Sequence, residues 1–183
     1  MTADETLQTL LDREAIRESI FRYCRGIDRA DEAALRASYW PDATDRHGPW
    51  QGSANAFIDA ALPKLRDSSR MIHHVGNLSI ELRGRRAAVE TYFLAWQRER
   101  KADGSEHESF LAGRYVDRFD KRGDEWRVAA RIVVYDWMQP MGPAPAVPDA
   151  ERFGPRQPIG AKRPDDPWYT LLAEIDQAEE AQP

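Results

Sequence analysis

The sequence predicts an α+β fold in which helices pack against one face of a curved antiparallel sheet. Two observations predict it: apolar residues recur at helical spacing through the first third of the chain, and four long stretches of strand-type alternation, separated by short turns, follow. Helices gathered first and antiparallel strands gathered later form two layers around one core. The 183 residues, 42% of them hydrophobic and 31% charged, suit a single domain with a sizeable interior.

The first helix is read from Leu7, Leu10, Leu11, Ile16, Ile20, Tyr23, Cys24 and Ile27, an amphipathic stripe. Thr2 and Glu5 form a capping-box pattern, Asp12 is a candidate cap for a restart, and Gly26 is a plausible end, which leaves Asp28 just beyond the helix. A second short helix spans Asp31 to Tyr39 and is closed by Trp40-Pro41; a third begins at Ser53, with Pro63 expected to kink or shorten it. Short edge strands are expected at Ala43 to His47 and Trp50 to Gly52, around Gly48-Pro49. The long strands are Met71 to Leu82, Ala87 to Arg100, Glu108 to Asp120 and Trp126 to Trp137. From Pro140 onward prolines recur, so residues 1–140 are read as the domain and 141–183 as a proline-rich C-terminal arm. Its Trp168-Tyr169-Thr170-Leu171-Leu172 segment suits docking, and Asp176 to Pro183 a frayed end.

Charge and cysteine usage narrow the function classes. Lys and Arg number 26 against 31 Asp and Glu, a formal net charge of −5, so nothing grips a phosphate backbone and nucleic acid is not an expected partner. Cys24 alone cannot close an internal disulfide, and four scattered histidines make no zinc pattern. No stretch approaches the ~18 apolar residues of a membrane span, and no basic-then-apolar leader opens the chain. A soluble cytoplasmic protein without membrane or metal is expected. Nucleophile-elbow, dinucleotide and phosphate-loop glycine motifs are absent from the sequence.

Polar residues inside apolar elements are the candidates for chemistry. A sheet that curls around a helix encloses an apolar pocket, where ionisable groups act strongly. Tyr23 and Asp28 on the first helix, and His73, His74, Asn77, Tyr92, Tyr115, Arg131 and Tyr135 on strands, meet that criterion. Asp28 beside a buried histidine makes a dyad in which the carboxylate fixes the imidazole tautomer; alternatively Asp28 caps the helix near Asp31. Arg131, in a central strand, needs an anion: either an internal carboxylate such as Asp117 or a substrate oxyanion. Strict alternation groups His74 with Leu78, Ile80 and Leu82, unless a bulge at Gly76 switches the face. Trp40, Trp50, Trp96, Trp137 and Trp168 are either pocket-lining or ordinary core rings.

Six motifs in order, Asp12-Arg-Glu-Ala-Ile-Arg, Tyr23-Cys-Arg-Gly-Ile-Asp28, Tyr39-Trp-Pro-Asp-Ala43, Ile72-His-His-Val-Gly-Asn-Leu78, Gly113-Arg-Tyr-Val-Asp117 and Trp126-Arg-Val-Ala-Ala-Arg131, resemble the SnoaL-like branch of the nuclear transport factor 2-like superfamily. The resemblance implies a cone of strongly curved antiparallel sheet plugged by helices, an α+β barrel, assembled as a homodimer or homotrimer. By motif it is similar to scytalone dehydratase, hexachlorocyclohexane dehydrochlorinase, bile-acid dehydratase and diarylpropane formaldehyde lyases, which are cofactor-free lyases. It implies Asp28 and His73 as the dyad and Tyr23 and Arg131 as further catalytic groups. Trp40, His74, Tyr92, Trp96, Tyr115 and Tyr135 are then expected around a small hydrophobic substrate. The same superfamily also holds a ketosteroid isomerase and the non-catalytic small subunits of ring-hydroxylating dioxygenases, so isomerase and structural-subunit readings stand beside the lyase.

Overall fold

The computed structural model describes residues 2–68, 70–147, 149–152 and 158–180. Thr2 starts the first helix as expected: its hydroxyl accepts the Glu5 N–H at 3.2 Å while the Glu5 carboxylate accepts the Thr2 N–H at 2.7 Å. This helix, α1 (Ala3–Arg29), runs past Gly26 and ends at Ala30 in the left-handed region, where the Asp31 N–H returns to the Gly26 carbonyl at 2.9 Å. Gly26 serves packing instead of termination. A Cβ there would lie 2.8 Å from Leu35 Cγ, so only glycine lets α2 (Glu32–Ser38) close onto α1.

Asp12 does not cap a restart. Half-buried within α1, its Oδ1 accepts hydrogen bonds from Gln8 at 3.0 Å, Lys121 at 2.7 Å and the Trp126 indole at 2.9 Å, tying the helix to the sheet.

After α2 come β1 (Tyr39–His47), β2 (Trp50–Ser53) and α3 (Ala54–Asp67), capped by Ser53 and continuous through Pro63. The long strands are β3 (Arg70–Arg83), β4 (Arg86–Arg100), β5 (Glu106–Arg122) and β6 (Glu125–Pro143). They form one open, curved six-stranded sheet in the order β2-β1-β6-β5-β4-β3, with helices packed on it. The α+β expectation holds, with one correction: the sheet is mixed, because β1 runs parallel to β6. The connection between those strands passes through α3 and four further strands, long enough to return in the same direction. Register shifts at Val75/Leu78, Glu108/Ser109, Ala112/Gly113 and Arg118/Phe119 accompany the curvature. Ile16, Ile20, Leu35, Ile58, Phe119 and Val128 are buried in the core.

The C-terminal arm departs from its expected extended form. Pro140 and Pro143 lie within β6, opposite Ser109 and His107, and Pro167 opens a helix, α5 (Pro167–Glu180), after the short α4 (Asp149–Arg152). Pro148, Pro155 and residues 181–183 lie outside the described residues. The arm docks on the end of α1: the Arg163 N–H donates to the Arg29 carbonyl at 2.9 Å, and Asp31 accepts from Arg163 at 2.6 Å and from the Tyr169 hydroxyl at 3.0 Å. Burial alone would raise the Asp31 pKa, but the Ala34 N–H, Arg163 and Tyr169 outweigh it and hold the carboxyl below its ordinary value. Among the described residues no helix is long and apolar enough to cross a membrane.

The Asp12 junction is testable. Its pKa is lowered because the hydrogen bonds from Lys121, Trp126 and Gln8 outweigh the opposing effect of burial. A depressed carboxyl stabilises the fold above its unfolded pKa and loses that contribution as pH falls through the folded value. Asp12→Ala should lower the unfolding free energy by about 1–3 kcal/mol at neutral pH. In urea titrations the gap between variant and wild type should narrow below about pH 4.

Candidate active site

The concave face of the sheet, α1 and α3 enclose a cavity of about 940 Å³, with His73, Tyr23, Phe93, Tyr115 and Tyr135 in its wall. His73 reaches it because of a bulge. Val75 pairs with Phe93 and Leu78 with Thr91, so Gly76 and Asn77 together stand opposite Tyr92. The extra residue inverts the alternation. Met71, His73 and Val75 therefore share the inner face with Leu78, Ile80 and Leu82, and His74 points outward.

Asp28, in the last turn of α1, holds His73 twice. Its Oδ1 lies 2.7 Å from His73 Nδ1, and its Oδ2 accepts the His73 backbone N–H at 2.9 Å. The side chains are 10% and 12% exposed. Asp28 itself lies behind the ring, lining smaller hollows outside the main cavity. It does not cap α2; Asp31 does, accepting the Ala34 N–H at 3.2 Å. A carboxylate at a helix C-terminus opposes the helix dipole, so this placement is not explained by α1 itself. With an ionised Asp28, Nδ1 carries the proton and the Nε2 lone pair is free.

Arg131 requires a correction. Its Nε and Nη2 bind the two oxygens of Asp117 at 2.8 and 2.7 Å, and both side chains are fully buried. The guanidinium lies 4.0 Å from the Tyr23 ring centroid and 4.2 Å from that of Tyr115, and it does not line the cavity. Burial disfavours its charge, but Asp117 and the surrounding phenols outweigh that and hold it protonated. Asp117, two positions beyond Tyr115 and directly opposite Arg131, supplies the nearer anion, so direct contact with a substrate oxyanion is replaced by a structural ion pair. Burial raises the Tyr23 and Tyr115 pKa values well above that of an ordinary phenol, and Tyr135 to about 12. All three keep their protons at neutral pH and remain potential donors.

A family model described as the SnoaL-like domain matches residues 8–132, more than half of the chain. The chain belongs to the SnoaL-like family. Its structure is similar to that of a hexachlorocyclohexane dehydrochlorinase, LinA type 2, with TM-score 0.69 and 20% identity over 79% of this chain and 98% of that one. LinA type 3 from Novosphingobium barchaimii LL02 gives 0.66 and 19% over 78% and 99%. A Novosphingobium aromaticivorans DSM 12444 protein assigned as a scytalone dehydratase gives 0.65 and 20% over 78% and 98%. Identities this low establish a shared fold. No curated protein sequence matches the chain.

Of the other residues expected around the SnoaL-like cavity, Tyr115 and Tyr135 line it, whereas Trp40, His74, Tyr92 and Trp96 do not. Trp40 alternates outward from buried Tyr39, donates its indole N–H to the Asp120 carbonyl at 2.9 Å, and holds the guanidinium groups of Arg122 and Arg127 over its ring at 4.8 and 5.0 Å. Tyr92 and Trp96 occupy the outward parity of β4, beside Arg114 and Phe110 respectively. Trp50, expected as either a pocket-lining or a core ring, lines the wall, and the sequence reading missed His47, Phe57 and Phe93, which line it too. Phe93 stacks on Tyr115 at 4.6 Å because position 113 is glycine; a Cβ there would fall 2.9 Å from the Phe93 ring and 2.2 Å from the Val134 carbonyl oxygen. Lys162 was also missed. It donates to the Asp28 carbonyl at 3.0 Å and the Ser68 hydroxyl at 3.3 Å, so the arm supports the dyad's helix end. Among the described residues no three His, Cys, Asp or Glu side chains form a metal-ligand set.

Arg131→Met should leave Asp117 buried without its partner and cost about 3–5 kcal/mol of stability. Adding Asp117→Leu should recover most of that loss in guanidinium unfolding, as expected for a structural pair.

Proposed function

We propose that this SnoaL-like protein is a cofactor-independent lyase acting on a small hydrophobic, aromatic or polycyclic substrate, with Asp28 and His73 as its base. The observation that carries this reading is the double grip of Asp28 on His73, which leaves Nε2 as the ring's free acceptor on an apolar cavity wall. His73 takes a proton from a carbon or hydroxyl of the substrate, and Asp28 balances the charge the ring then acquires. The electrons left behind form a double bond as water, halide or formaldehyde departs. With a lignin-derived diarylpropane diol, the hydroxymethyl proton goes to His73 and the carbon–carbon bond breaks to release formaldehyde. Its electron pair forms the stilbene double bond, and the neighbouring hydroxyl leaves as water after taking up a proton. Tyr23, kept protonated by burial, is positioned in the wall to donate to oxygen that becomes negative. The fold shared with a dehydrochlorinase supports the reaction class.

Purified protein treated with chelator should convert a candidate aryl alcohol to a product lighter by the leaving group, measured by mass spectrometry. His73→Ala should reduce turnover by about 10²–10⁴-fold. Undiminished turnover in that variant removes His73 from the reaction, and a product of unchanged mass replaces elimination by isomerisation.

We also propose that copies of the chain associate through the convex face, where Ile72, Leu94, Trp96, Val116 and Ile132 are exposed together on β3 to β6. Light scattering should give a dimer or trimer mass, and Trp96→Glu with Ile132→Glu should give the monomer mass.

A further inference from the structure

A second polar locus occupies the other edge of the sheet. His47 and Trp50 face each other across the β1–β2 hairpin, so their side chains share one face, and both line the cavity. Asp45, two residues before His47 on β1, shares that face and backs it. Its fully buried carboxylate accepts the Tyr39 hydroxyl on Oδ2 at 2.7 Å, while Oδ1 stands 3.6 Å from His47 Nδ1. Asp45 Oδ1, His47 Nδ1 and Trp50 Nε1 are all buried and, among the described residues, make no hydrogen bond. Three such atoms on one hairpin are an uncommon concentration, since buried polar atoms are nearly always paired.

The surroundings select the ligand. The His47 ring stacks on Phe57 at 4.5 Å and 15°, and Tyr135 approaches it edge-on at 6.1 Å. These rings make this part of the cavity wall aromatic, a surface against which a flat aromatic group packs. The polar atoms call for a partner that both donates and accepts: Trp50 Nε1 only donates, and the imidazole can accept. A carboxylate would meet the Asp45 charge, and an ammonium could accept nothing from Trp50. A neutral hydroxyl on an aromatic ring satisfies both conditions.

We propose that His47 and Trp50, backed by Asp45, bind a phenolic hydroxyl of the ligand at the sheet edge opposite β3, which carries His73. This deepens the functional proposal by naming a substrate feature, and rests on the cavity being the substrate chamber. Binding can be measured without turnover, so the two proposals fail separately.

Calorimetric titration of the full-length protein with 4-propylphenol and with 4-propyltoluene tests it. The phenol should bind at least about tenfold more tightly, in keeping with a site built to hydrogen-bond a hydroxyl. His47→Phe, which keeps an aromatic ring against Phe57, and Trp50→Phe should each reduce that preference to twofold or less. His73→Ala should keep it. Equal affinities for the two probes, no measurable phenol binding, or a preference that survives in both hairpin variants would overturn the assignment. So would a preference lost only in His73→Ala. Absence of turnover on every substrate, with the phenol preference intact, would instead sink the lyase.

Discussion

Both oxygens of the Asp28 carboxylate are committed to one residue, His73, through its ring and through its backbone. That double attachment joins the last turn of the first helix to an edge strand, two elements separated by 45 positions in sequence. It orients the imidazole and fixes where the helix ends against the sheet. Three features of the chamber meet at that junction: the bulge that turns the ring inward, the aromatic wall beside it, and the arm that closes over the helix end. A carboxylate in a helix's final turn works against the backbone dipole, and the histidine supplies the donors that make the placement tolerable.

Beneath the aromatic wall lies a second buried charge pair of a different kind. Arg131 and Asp117 neutralise one another across β5 and β6, and the rings of Tyr23 and Tyr115 cover the guanidinium. Such a pair adds little net stability, yet removing one member is costly, so it holds the two strands to a single arrangement.

Much of this architecture was legible in the chain itself. Period-two alternation located all four long strands, and the capping box at Thr2 and Glu5 marked the start of α1. The motifs resembling the SnoaL-like family identified the residues that come together as Asp28 and His73. What escaped was information carried by tertiary contacts. Gly26 has the appearance of a helix terminator, but its role is steric and depends on Leu35, nine positions later. Arg131 could have faced substrate or carboxylate, and only strand register reveals Asp117 opposite it. Trp96 and Tyr92 are large aromatics whose strand parity turns them outward. The hairpin around Gly48-Pro49 and a pocket-lining Trp50 were legible, but His47 was hidden, since it joins the wall through its pairing with Trp50 across that hairpin.

The proline-rich C-terminus, finally, is bolted to the helix end that carries the dyad. Lys162, Arg163, Asp166 and Tyr169 grip Asp28, Arg29 and Asp31 through backbone and side-chain bonds. It therefore acts as a buttress, and its load is borne by the same turn that aims the histidine. Clipping the chain beyond β6, or pulling on its final helix with a fused tag or bulky label, would slacken the mount of the imidazole.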